Sequence, residues 1–119
     1  MTTKQEVESF LNDFKTKMRI FQIVFLDDRG KNAQALLDME ISPIKRIEII
    51  EKLTVEDYNH GPLEEMMPGI LPMWVFGKEV RKTEVYIKIS MGATNSQTIC
   101  ISFHPSEHPM KYPFKPNKQ

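Results

Sequence analysis

Hydrophobic and polar positions alternate most regularly between Thr83 and His104. Val85, Ile87, Ile89 and Met91 share one parity, and Glu84, Tyr86, Lys88 and Ser90 take the other. Beyond Gly92-Ala93-Thr94-Asn95-Ser96 the alternation resumes, with Ile99, Ile101 and Phe103 set against Thr98, Cys100, Ser102 and His104. Side chains on a strand point to opposite faces in turn, so each run predicts a half-buried strand. The short Gly/Asn/Ser loop joins the two as a hairpin. Met73 to Phe76 begins the sheet ahead of them, giving a meander of three strands. One face of this hairpin needs an apolar cover; the other displays Tyr86, Lys88, Ser102 and His104 together.

The first half of the chain follows a helical period instead. Thr3 and Glu6 have capping-box spacing, and Val7, Phe10, Leu11, Phe14 and Met18 draw one apolar stripe, predicting a helix over Lys4 to Arg19. Ile20 to Leu26, bounded by Asp27-Asp28-Arg29-Gly30, predicts a strand. Asn32 to Met39 predicts a short helix with Ala33, Leu36 and Leu37 inward. Ser42-Pro43 opens another, with Ile44, Ile47 and Ile50 on its buried face and Leu53 as a further member. Thr54 to Asp57 predicts a capped turn carrying Tyr58, stopped by Asn59-His60-Gly61-Pro62. Gly61 to Pro72 then reads as a loop, with Glu64 and Glu65 solvated. The last fifteen residues hold four of the eight prolines and predict an extended tail pinned to the body, with Met110, Tyr112 and Phe114 docking singly. The fold class expected is α+β: N-terminal helices packed on one face of a mostly antiparallel sheet that ends in the meander. Residues 1–104 form the single domain and residues 105–119 the proline-rich tail.

Composition narrows the function classes. The 119 residues suffice for one core, and 40% hydrophobic with 27% charged content is that of a globular chain. Sixteen basic residues balance sixteen acidic ones, so net charge by itself points to no nucleic acid. The balance is uneven along the chain: residues 1–66 hold nine Lys/Arg against thirteen Asp/Glu, and residues 67–119 seven against three. The basic half contains the hairpin. The lone Cys100 excludes an internal disulfide framework and reads as a small filler residue more than as a reactive thiol. The charged N-terminus has no signal-peptide core, and the longest apolar run, Ile20 to Leu26, is far short of the about 20 residues needed to span a bilayer. A cytoplasmic protein without membrane contact is expected.

The segments ALLDMEISPIKRIEIIEKLTVEDYNHGP, MWVFGKEV, EVYIKIS and ICISFH, in this order and spacing, resemble the MqsR family of toxins from bacterial toxin–antitoxin modules. That family is similar in fold to the RelE-like ribonucleases, and the resemblance runs from about Phe21 to His104. It implies an mRNA endonuclease that needs no metal or other cofactor and is neutralised by an antitoxin protein, with the ribosome as a further candidate partner. The family's basic or His residue after the D-Y turn, its tyrosine in the penultimate strand and its basic or His residue closing the last strand look like His60, Tyr86 and His104. Lys88 stands two residues beyond the tyrosine on the same face.

Metal-free RNA cleavage uses the substrate's own 2′-hydroxyl as nucleophile. It needs a base, an acid and positive charge at the developing phosphorane. Histidine suits the first two roles because it titrates near neutrality. His104 and His60 are the expected acid–base pair in either order. Lys88 is the expected phosphate stabiliser, and Tyr86 an orienting donor or a stacking platform. Lys78, Arg81 and Lys82 at the preceding turn are candidates for holding the RNA backbone. Trp74, sharing a parity with Phe76 and Lys78, serves either as a base-stacking platform or as core.

Two other readings compete. His104-Pro105-Ser106-Glu107-His108 matches the H-x-x-E-H spacing of a class of zinc peptidase, but that chemistry needs a helix, and here the histidine closes a strand between prolines. The second is a non-catalytic module of the same fold whose polar face holds another protein.

Overall fold

A computed structural model describes residues 1–26, 41–64 and 69–116. Helix α1 spans Lys4–Phe21, β1 Ile23–Phe25, α2 Pro43–Glu51, and a single 3-10 turn Val55–Asp57 leads into β2, Tyr58–Leu63. Strands β3, β4 and β5 follow at Met73–Val80, Thr83–Ser90 and Thr98–Pro105. The five strands form one sheet in the order β1-β5-β4-β3-β2. The α+β class therefore holds, with a mixed sheet: β1 runs parallel to β5, and the other three ladders are antiparallel. The short helix expected at Asn32 to Met39 lies outside the described residues.

Local chemistry starts and stops these elements where the sequence signals them. Thr3 and Glu6 cap α1 reciprocally: the Thr3 N–H donates to Glu6 Oε1 at 2.8 Å, and the Glu6 N–H to Thr3 Oγ1 at 3.1 Å. Ser42 caps α2 by accepting from the Lys45 N–H, with Pro43 in its first turn. Arg81 and Lys82 both adopt positive φ between Val80 and Thr83, the two-residue turn whose twist matches a hairpin.

The α1 stripe meets the sheet as patterned. Val7, Phe10, Leu11, Phe14 and Met18 are buried, and they join Phe76, Val85, Ile87, Ile89, Cys100 and Phe103 in one core cluster. Each such side chain, fully buried, contributes about 1.5–3 kcal/mol. Phe10 carries the helix–sheet contact, stacking on Trp74 with ring centroids 4.5 Å apart. Two lysines of α1 reach past the core to tie loops down. Lys15 Nζ donates to the Leu53 carbonyl at 2.6 Å, and Lys17 Nζ to those of Met91 and Ala93.

Four expectations are corrected. The strand predicted over Ile20 to Leu26 is only three residues long, because α1 continues to Phe21 before the chain turns at Gln22, where φ is 74°. In α2 the buried residues are Arg46, Ile49 and Ile50; Ile50 and Leu53 are buried and Ile47 packs partly buried against the core as expected, but Ile44 is 73% exposed. The buried Arg46 lays its guanidinium over the Phe25 ring, 3.8 Å from the centroid. The segment from Tyr58 to Leu63, expected as a turn and the start of a loop, is an edge strand; its pairing to β3 shifts register on both sides of His60, which accommodates Gly61-Pro62. Finally, the alternation of β5 is broken by a bulge: Lys88 pairs with Ser102, yet Ile89 pairs with Cys100. Cys100, not Ile101, thus faces Ile89 and enters the core cluster, 1% exposed.

Candidate functional site on the open face of the sheet

The ladders fix which side chains share the face away from α1. Across β3, β4 and β5, one row is Gly77, Tyr86 and His104, and the next is Val75, Lys88 and Ser102. On the far side of β3, His60 pairs with Val75 and extends the second row. Directly paired residues lie on the same face of a sheet, so His60, Lys88, Tyr86 and His104 come to one surface. Val75, fully buried, is the apolar floor between His60 and Lys88.

Tyr86 and His104 form the tightest part of the site. Their rings stack with centroids 5.3 Å apart and planes 10° from parallel, and both residues are half-buried. His104 Nδ1 lies 2.9 Å from the carbonyl oxygen of Pro105, an acceptor only, so Nδ1 carries the proton of that contact and Nε2 is left for chemistry. Lys88 stands two residues along β4 from Tyr86 on the same side. His60 is exposed, yet partial desolvation by its surroundings, together with the charge of Lys88, holds its imidazole below the usual histidine range. It is therefore neutral at pH 7, with Nδ1 bonded to Asn59 Oδ1. Lys88, on β4, sits between the β2 and β5 histidines.

The proline-rich tail crosses this same face and borders the site, as the sequence leads one to expect of an extended, docked segment. The Ser106 N–H donates to the Glu84 carbonyl at 2.8 Å, prolonging the β4–β5 ladder. The Met110 N–H and the Tyr112 hydroxyl then donate to the two oxygens of Glu84, at 3.0 and 2.7 Å. Burial and that carboxylate push the Tyr112 phenol well above its ordinary range. Met110 and Tyr112 pack on Gly77, the partner of Tyr86, and Asn59 Nδ2 donates to the Lys111 carbonyl at 2.7 Å. Phe114 ends the crossing stacked on Tyr58, ring centroids 5.3 Å apart.

The other candidates fall elsewhere. Trp74 is on the helix side of β3, stacked on Phe10, so it is core and not a platform on the open face. Lys78 shares that side and pairs with the nearly buried Asp57 at 3.2 Å. Arg81 and Lys82 are exposed at the β3–β4 turn, one end of the sheet away from Lys88. The H-x-x-E-H stretch leaves β5 at Pro105 and bends, forming no helix. Sequence reasoning placed Glu84 on the parity of Tyr86 and Lys88 but missed its role as the tail's anchor, and missed Asn59 as part of this surface. The signals were the spacing of Met110, Tyr112 and Phe114, which alternates as a docked extended segment does, and the adjacency of Asn59 to His60.

Comparison with protein-family models, with curated proteins and with solved structures returns no match.

Proposed function

We propose that this chain is a metal-independent ribonuclease of RelE-like fold, the toxin of a toxin–antitoxin module, and that it cleaves mRNA on the open face of its sheet. The observation that carries the proposal is the stack of Tyr86 on His104 beside Lys88, with His60 in the Lys88 row. A phosphate resting on Lys88 lies between histidines from opposite strands, as in-line displacement requires of its base and acid. His60, neutral at pH 7, takes the proton of the 2′-hydroxyl as that oxygen attacks phosphorus. His104 gives a proton to the 5′-oxygen as the P–O5′ bond breaks, and Lys88 offsets the charge on the phosphorane. Tyr86 orients His104 through the stack, and its hydroxyl serves as an orienting donor toward the substrate, the part that Tyr86→Phe removes. The products are a 2′,3′-cyclic phosphate and a 5′-hydroxyl.

The test is cleavage of RNA in EDTA by the purified protein and by His104→Ala and Tyr86→Phe, with the product ends mapped. Loss of cleavage in both variants supports the proposal. An inactive wild type, with and without ribosomes, favours the protein-binding module. The even balance of sixteen basic and sixteen acidic residues suits that module.

A further inference from the structure

We propose that Asn59 is a positioning residue: it links the C-terminal tail to His60 and sets which ring nitrogen of His60 carries the proton. A chain of donors and acceptors runs from the tail to His60. The Lys111 carbonyl can only accept, and it lies 2.7 Å from the Asn59 side chain, so the amide presents its NH2 there. That orientation leaves Oδ1 as the other end of the amide, and Oδ1 can only accept. His60 Nδ1 is the group in contact with Oδ1, so a neutral His60 must hold its proton on Nδ1. The lone pair is then on Nε2, the nitrogen farther from the backbone.

The tail supplies the fixed point of this relay. Lys111 lies between Met110 and Tyr112, both anchored on Glu84 and packed on Gly77, so its carbonyl has little freedom. On the strand side, Gly61 follows His60 with φ at 129°, and a Cβ there would come within 3.0 Å of the Met73 carbonyl oxygen and 3.1 Å of the Trp74 Cα. His60 is thereby held from both ends. The proline-rich tail has a role in this: it orients His60 through Asn59.

The catalytic consequence assumes that this face cleaves RNA, as proposed above; the tautomer does not. The test therefore has two readouts on the full chain. Imidazole 15N NMR without RNA should find neutral His60 protonated on Nδ1 in the wild type. The proton should move to Nε2 in Asn59→Ala and stay on Nδ1 in Asn59→Asp, which keeps an acceptor. An aspartate also stabilises the imidazolium, so His60 should titrate at higher pH in Asn59→Asp than in the wild type. In RNA cleavage, Asn59→Ala should lower kcat about tenfold or more with KM little changed, and should add nothing in a His60→Ala background. The acid limb of the Asn59→Asp profile should move up in pH. An Nε2 proton in the wild type, or one tautomer common to wild type and Asn59→Ala, overturns the inference. The expected tautomers in a protein that cleaves no RNA would uphold the relay and sink the ribonuclease.

Discussion

The phenol of Tyr112 and the carboxylate of Glu84 are joined by a 2.7 Å hydrogen bond that fastens the tail to the middle of the sheet. Glu84 stands opposite Glu79 in the β3–β4 ladder, a pairing of like charges that the Met110 and Tyr112 donors make tolerable. Glu84→Ala removes both acceptors, and we expect trypsin to cut after Lys111 several-fold faster than in the wild type. Gly77→Ala should do the same by another route. A Cβ there would sit 2.4 Å from the Tyr112 hydroxyl and 2.7 Å from the Met110 sulfur, so the tail side chains must move while the strand stays. Wild-type cutting rates in both variants would show that the tail is held elsewhere.

What the sequence made legible was whatever local pattern controls. The period-two runs located β4 and β5, Met73 to Phe76 marked the start of β3, the capping boxes located α1 and the Val55–Asp57 turn, and the parity of β4 brought Tyr86 and Lys88 to one face. Three features were hidden because they depend on partners distant in the chain. The edge strand β2 carries Gly61-Pro62, which reads as a break until β3 is there to pair with its irregular register. The bulge at Ile101 leaves no mark in a sequence that alternates through it. The burial of Arg46 places its guanidinium over the Phe25 ring, a residue from a different element. In the site, the stack of Tyr86 on His104 was foreshadowed by hairpin register, whereas the contacts of Asn59 to the tail and to His60 required the tail's path.

Trp74 and Lys78 separate stability from chemistry. Trp74→Ala empties the space against Phe10 and should cost about 3–5 kcal/mol in denaturant unfolding. Asp57 accepts from the Thr54 N–H at 2.9 Å as well as from Lys78, so Asp57→Ala should cost about 1–3 kcal/mol. Lys78→Met, which keeps the apolar stem, should leave RNA affinity within twofold of the wild type. A large affinity loss in Lys78→Met would place the RNA on the helix side of β3.

His60 makes stability depend on pH in a defined direction. Partial desolvation and the charge of Lys88 lower its pKa in the fold, so the unfolded chain takes up this proton first as pH falls. The protein has its full stability above the ordinary histidine value of about 6.5 and loses part of it as pH drops through the folded pKa. Between pH 7.5 and 5, the Tm of the wild type should therefore fall further than that of His60→Gln. Lys88→Met, by removing the repelling charge, should also flatten the fall. Parallel Tm curves for all three proteins would contradict the proximity of His60 and Lys88.

Whether the open face of the sheet cleaves RNA is decided by the single-turnover rate in EDTA. Wild type, Lys88→Met, Tyr86→Phe and His104→Ala would be compared at saturating protein. The expected result is cyclic-phosphate and 5′-hydroxyl ends from the wild type, with rates about a hundredfold or more lower in His104→Ala and lower in all three variants. Cleavage by the wild type that survives in every variant would contradict this site, and a wild type that cuts no RNA would contradict the function.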